Sequence, residues 1–324
     1  MRRTASAAAA LLALMLGAAA CSSESTPDSQ PPGAVLPVPA GVQDPAHPPT
    51  MGAPGEDPCD ARASLRPSGP LPAPGAMPAG STMAAIAQAG RLRVGVDQNT
   101  YLFGYRNATT GEIEGFDIDM AREIARAIFG DPDRIQLVAI AYSQRVPALE
   151  NAQVDLVVDT MTMNCDRWEH VNFSTQYYDS RQDVLVPASS TATGVDDLAG
   201  KKVCAADGST SIQKIAAHQP PLVPVAVLDQ TDCLVMLQQG QVDAISTDDT
   251  ILAGMLAEDP TTRMLGADLG AEPYGMATSK QAEDFTRFVN AVLERMRADG
   301  TWTALHEKWR LGGSSTPPPA RYRD

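Results

Sequence analysis

Aromatic residues are scarce in this chain of 324 residues, only 5% of the total, and basic residues are outnumbered, 25 Lys and Arg against 39 Asp and Glu. The net charge of −14 argues against a nucleic-acid partner, which needs a basic surface. After residue 20 no stretch of 18 consecutive apolar residues occurs, so no spanning helix is expected there. No C-x-x-C pair is present, and His47, His170, His218 and His306 stand apart, so neither a metal site nor a cofactor is expected. Proline is scarce in one region only. Of 26 prolines, fifteen fall between Pro27 and Pro78 and three more at Pro317, Pro318 and Pro319, leaving eight for residues 81–313. One compact region is therefore expected between two extended ends. With 44% apolar residues it has ample material for a core, and the length allows about two domains.

The N-terminus reads as an address. Arg2 and Arg3 precede an apolar run from Ala5 to Leu16, then small residues, then Cys21, which is the pattern of a secretory signal over residues 1–20. A cysteine directly after small residues looks like a lipobox, which implies cleavage before Cys21 and lipid on its sulfur. Ala18 stands where that motif prefers Leu. The twin arginines leave Sec and Tat export both open. Residues 21–80 carry Pro, Gly, Ser and Ala with no apolar period, so a lipid-anchored tether is expected there. A flexible tail is expected over residues 314–324. Beyond Cys21, four cysteines remain: Cys59, Cys165, Cys204 and Cys233. In an exported chain an even number implies two disulfides, with three pairings possible.

Between the ends, strand and helix patterns alternate. Residues 92–96 read as an apolar strand ending at Asp97. Asp117 is expected to cap a helix whose apolar positions Met120, Ile124, Ala125 and Ile128 keep helical spacing up to Gly130. Further strands are expected at 135–140, 154–158, 202–205, 223–228 and 242–246. Helices are expected from a Ser143 cap through Asn151, and at 231–239, 249–257, 283–298 and 301–309. This alternation predicts an α/β fold with mainly parallel sheets, and its repetition in two halves predicts two lobes around a cleft.

Four collinear segments carry a more specific signal: "GRLRVGVD", "GFDIDMAREIA", "VDLVVDTMTMNCDRWEHVNFSTQYY", and "GKKVCAADGSTS" followed by "GQVDAISTDD". With the closing "DGTWTALHEKW", the set resembles the type 3 extracellular solute-binding proteins, the receptors of polar amino-acid ABC importers. The Pro-rich spacer, the cysteine layout and the "PPPARYRD" end are most similar to glutamine/glutamate-binding lipoproteins of high-GC Gram-positive bacteria. The resemblance implies a periplasmic-binding-protein-like type II fold, two α/β lobes hinged on two crossing strands near residues 183–187 and 272–277. Lobe 1 would comprise residues 81–186 and 272–313, and lobe 2 residues 187–271. Those boundaries favour one disulfide inside lobe 2, Cys204–Cys233, and another, Cys59–Cys165, pinning the tether to lobe 1.

A zwitterionic ligand presents a carboxylate and an ammonium, each needing a partner once desolvated. By resemblance, Arg167, seven residues before Ser174, holds the carboxylate bidentately. Thr160 and Thr162 touch the carboxylate and ammonium. Gly208, Ser209 and Thr210 offer main-chain N–H groups at a helix start. Asp248 binds the ammonium, while its neighbour Asp249 is expected to cap the next helix. Asp97 and Tyr142 match lobe 1 contact positions, and Tyr101 and Arg145 are candidates for the side-chain pocket. Arg145 suits an acidic side chain, whereas Gln98, Asn99 and Gln144 suit an amide. The expected protein is a monomeric, non-catalytic receptor for glutamate, aspartate, glutamine or asparagine, on the outer face of the cytoplasmic membrane. Its partner would be an ABC permease or a membrane sensor. The alternative is a dehydratase-type enzyme on the same fold, which needs an acid or base aimed at a reacting carbon. In that scheme every strong candidate already holds a ligand charge.

Overall fold

The computed structural model describes residues 37–49 and 59–324, so the signal segment and Cys21 lie outside the described residues. Helix α1 (Thr82–Ala89) opens the compact region, capped by Ser81, whose Oγ accepts from the Ala84 N–H. Strand β1 (Leu92–Val96) follows. A small antiparallel sheet of β2 (Asn99–Thr100), β3 (Gly104–Arg106) and β4 (Ile113–Glu114) then leads into α2 (Phe116–Phe129). Asp117 does not cap α2. Gly115 occupies that position at φ 142°, and a Cβ there would stand 2.0 Å from the Phe103 carbonyl oxygen. The Asp117 carboxylate turns inward instead, accepting from the Thr160 N–H and the Tyr177 hydroxyl, each at 2.7 Å.

Strand β5 (Ile135–Ala139) pairs parallel with β1. A 3-10 turn over Tyr142–Gln144 enters α3 (Arg145–Glu150), so Ser143 lies inside the turn and caps nothing. Then come β6 (Leu156–Val157), α4 (Cys165–His170) with Asn164 as its cap, and β7 (Val171–Phe173). The ten-residue β8 (Tyr178–Pro187) passes into the second lobe. There β9 (Lys202–Ala206), α5 (Thr210–Ala217), β10 (Val223–Val227), α6 (Asp232–Gln238), β11 (Ala244–Asp248), α7 (Asp249–Glu258) and β12 (Thr262–Met264) alternate. The chain returns through β13 (Ala271–Tyr274) to β14 (Ala277–Ser279), and α8 (Glu283–Ala298) and α9 (Thr301–Lys308) close it. Lobe 1 orders its sheet β5-β1-β6-β14-β7, and lobe 2 orders its own β10-β9-β11-β8-β12. Parallel neighbours dominate the start of each sheet, and the strands next to the crossing run antiparallel.

The crossing falls earlier than the sequence reading placed it. Tyr178 to Arg181 pair with β13, while Gln182 to Leu185 already pair with β11 of lobe 2. The apolar run Val184, Leu185 and Val186 is buried in the lobe 2 core, and that burial draws residues 182–186 out of lobe 1. Six aromatics, Phe103, Phe116, Tyr177, Tyr178, Tyr274 and Trp302, gather beside this hinge. Phe103 meets Tyr178 edge-on at 5.1 Å, Tyr178 stacks on Tyr274 at 5.7 Å, and Phe116 meets Trp302 at 6.0 Å. Burying each such ring stabilises by about 2–3 kcal/mol, so the cluster holds the crossing strands firmly on lobe 1.

Both expected disulfides are present, Cys59–Cys165 and Cys204–Cys233. The described parts of the Pro-rich segment are seated on the lobes. Gln43 exchanges two 2.9 Å main-chain hydrogen bonds with Ala226, covering the open edge of the lobe 2 sheet. On lobe 1, the Ser64 hydroxyl donates to the Phe173 carbonyl at 2.5 Å and the Trp168 indole N–H to the Ala61 carbonyl at 2.8 Å. The end of the chain, read as a loose tail, packs against the same surface. Tyr322 bridges to Ser64, Asp324 pairs with Arg287 at 2.5 Å, and the Arg323 guanidinium lies 3.7 Å over the Trp168 ring. Its terminal side chains supply the partners that its prolines lack.

Candidate functional site

Most of the residues singled out from the sequence converge where the two lobes meet. Asn164 caps α4 and fixes its first turn, which aims Arg167 at the cleft. The Arg167 guanidinium donates to the Thr162 carbonyl at 2.7 Å in lobe 1 and to the Gly208 carbonyl at 3.1 Å in lobe 2. Only glycine fits at Gly208, because its φ is 73° and a Cβ would stand 2.6 Å from Ser143 Cα on the opposite lobe. Ser209 is the N-cap of α5, accepting from the Ile212 N–H at 3.1 Å, so Thr210 begins the helix at the cleft wall.

A buried carboxylate ties these parts together. Glu272 on β13 is 0% exposed and accepts from Thr162 Oγ1 at 2.5 Å, Thr210 Oγ1 at 2.9 Å and Lys214 Nζ at 2.5 Å. One side chain thus clasps lobe 1, lobe 2 and a hinge strand. Sequence reasoning marked Glu272 only as the start of a crossing. The available signal was a lone charge at the head of an otherwise buried strand. Lys214 and Tyr274 were missed as well. Tyr274 donates its hydroxyl to Asp248 Oδ2 at 2.6 Å. Burial, with Glu272 nearby, pushes the Asp248 carboxyl well above its usual range. Asp249 is the first residue of α7, not its cap, and accepts from the Ser180 hydroxyl at 2.5 Å. Burial lowers Arg167 to about 9, and Glu272, Asp248 and Asp159 oppose that fall. The cation therefore shares one electrostatic environment with both acids of the clasp.

Toward the other end of the cleft the lobe 1 residues lie differently. Asp97 is spent on its own loop, accepting from the Gln98 and Asn99 N–H groups and from the Thr100 hydroxyl. Tyr142 is buried against Thr100, its hydroxyl 3.3 Å from Thr100 Oγ1. The Arg145 guanidinium lies 4.4 Å over the Tyr142 ring, donating at 3.1 Å to the carbonyls of Tyr142 and Asp159. Gln98 accepts from Arg106 and Gln144 from the Ala141 N–H, while Asn99 reaches across to Asp229 of lobe 2. Tyr101 is exposed, packed on Tyr105 at 5.1 Å. Thr160 turns at φ 40°, an uncommon conformation for a β-branched residue, and its Oγ1 is buried without a hydrogen-bond partner among the described residues. Beside it, both carboxylate oxygens of Asp159 are buried and equally unpartnered. Leaving such a group unmade costs on the order of 1–3 kcal/mol or more. Two cavities flank the site, one of 390 Å³ against Thr210, Lys214 and Glu272 and one of 240 Å³ against Asp97, Tyr142 and Asp229.

Residues 92–312 match the model of the bacterial extracellular solute-binding proteins, family 3. The chain belongs to that family. It is 37% identical over 229 residues to the ABC transporter glutamine-binding protein GlnH of Bacillus subtilis, covering 70% of this chain and 84% of that one. The glutamate-binding protein GluB of Corynebacterium glutamicum is 30% identical over 240 residues, covering 70% and 80%. Among solved structures, the solute receptor for L-cysteine of Neisseria gonorrhoeae superposes with a TM-score of 0.70 at 26% identity, covering 74% of this chain and all of that one. As a family 3 solute-binding protein, this chain is a solute receptor with the two-lobed type II fold.

Proposed function

We propose that this family 3 receptor captures a polar amino acid outside the cell, as a lipid-anchored monomer, and delivers or reports it to a membrane partner. The observation that carries the reading is the convergence of Arg167 from lobe 1 and Asp248 from lobe 2 on one cleft. Arg167 would hold the ligand carboxylate, sharing it with the main-chain N–H groups at the start of α5. Asp248 would hold the ammonium with help from Thr160 and Thr162. The relatives named above bind glutamine, glutamate and cysteine, so the zwitterionic end is the feature their ligands share. No observation favours the dehydratase reading, since all three of those relatives are binding proteins.

Closing the lobes on a ligand gives a membrane partner a shape to recognise, and differential affinity for the closed form is all that delivery requires. An ABC permease is the leading partner, because GlnH of Bacillus subtilis carries that system in its name. Anchoring would run through Cys21 and the Pro-rich segment. Titration calorimetry with glutamine, asparagine, glutamate and aspartate tests the binding claim. Heat from at least one of them supports it, and none from any α-amino acid contradicts it. For the anchor, Cys21→Ser should shift the protein from the membrane fraction to the medium.

A further inference from the structure

The unpartnered carboxylate of Asp159 bears on which amino acid the cleft accepts. Asp159 follows β6 and directly precedes Thr160, within electrostatic reach of Arg167; it is only 1% exposed. Neither of its oxygens has a hydrogen-bond partner among the described residues, and the adjacent Thr160 Oγ1 has none either. Apart from the Thr160 hydroxyl, the neighbouring donors are committed. Arg145 gives Nε and one terminal nitrogen to main-chain carbonyls, including that of Asp159 itself, and rests on the Tyr142 ring. The Thr100 hydroxyl and the Gln98 and Asn99 N–H groups are taken by Asp97. Asp97, Asp117, Arg145 and Arg167 are the charged groups in electrostatic reach of Asp159, and they do not leave the region positive. Proteins rarely retain a buried acceptor with no donor, and such groups repeatedly mark places where a ligand supplies it.

We propose that Asp159 selects the ligand side chain, accepting hydrogen bonds from a terminal NH2 group, a carboxamide or a guanidinium, and rejecting a carboxylate. The proposal rests on the amino-acid-receptor reading and adds the chemical class of the side chain. A carboxamide or guanidinium brings the N–H donors that both oxygens lack. An acidic side chain would bring a further buried acidic group beside Asp159 and Asp97, with only Arg145 and, more weakly, Arg167 to offset them. Burial already pushes the Asp159 carboxyl well above its ordinary range, so a carboxylate ligand would have to bind together with a proton.

Titration at pH 7.5 with glutamine, arginine, glutamate and norvaline, a stem without donors, decides the matter. Glutamine or arginine should bind at least tenfold tighter than glutamate and norvaline, and which of the two wins tells carboxamide from guanidinium. In Asp159→Asn the preference over glutamate should shrink at least tenfold, because the new amide can donate to an acid. Asp159→Leu should raise the melting temperature of the empty protein and lose the preference altogether. The inference is overturned if the wild type prefers glutamate or norvaline, or if Asp159→Asn folds and keeps the wild-type ratio. If no α-amino acid gives heat, the receptor reading itself fails and this inference falls with it. Should the variants fail to fold, the wild-type order of affinities still decides.

Discussion

The two ends of the cleft are furnished in opposite ways. At one end Arg167, Thr162, Thr210, Lys214 and Glu272 satisfy one another across the lobes, and Asp248 is held by Tyr274. At the other, the side-chain oxygens of Asp159 and Thr160 are buried with no hydrogen-bond partner among the described residues. On the proposed reading the first end takes the zwitterionic group that every amino acid carries, so it can be preorganised whatever the ligand. The second would be completed by a particular side chain. The contrast then teaches where affinity and selectivity would separate: the clasped end would set how tightly any amino acid binds, and the unsatisfied end which one.

That division can be broken by substitution. Arg167→Ala should weaken every amino-acid ligand by roughly 100-fold or more, since a charge-assisted bidentate bond is lost, and the ranking of ligands should not change. Calorimetry across several side chains checks both halves of this, and a changed ranking would erase the distinction between the ends. Asp248→Asn should cost roughly tenfold to 100-fold, again alike for all ligands.

Glu272→Gln should lower stability by about 1–3 kcal/mol in denaturant unfolding, because the Lys214 ion pair and two buried hydroxyl bonds lose their shared acceptor charge. It should leave the preference between glutamine and glutamate unchanged. The smallest effect concerns Asp117, which supports Thr160 from below. Burial raises its carboxyl to about 6, whereas in the unfolded chain it titrates near 4. Between those values the native state keeps a proton that the unfolded state has lost. Its contribution is therefore full below pH 4 and falls as pH rises toward 6, by at most about 3 kcal/mol. Carboxylates held low by N–H and hydroxyl donors, such as Asp197 and Asp259, slope the other way. The readout is thus the difference between wild type and Asp117→Asn, which should lose that fall.

Much of this architecture was legible in the sequence because it follows from local pattern. The residues of β1 and α8 could be bounded by apolar period alone, and both elements are found over the expected residues. Caps were read less well. Asp117 and Asp249 each look like helix starts, yet tertiary partners claim both carboxylates, Thr160 and Tyr177 for one and Ser180 for the other. The ten-residue β8 runs unbroken through both lobes, so its sequence does not mark where it changes partners, and the crossing was placed late. Arg167 and Asp248 stood out by motif spacing. Glu272 and Asp159 did not, because what distinguishes them is the presence or absence of partners more than 40 residues away in sequence. Beyond the Cys59–Cys165 bridge, the seating of residues 60–66 and 321–324 was invisible for the same reason.

The most direct test of the central claim uses a ligand with its charged ends masked. If free glutamine gives a binding heat, N-acetylglutamine and glutaminamide should each lose it, because Asp248 and Arg167 would face a blocked amine or a neutral amide. Equal binding of either blocked compound would contradict the assignment of the clasped end to the zwitterion.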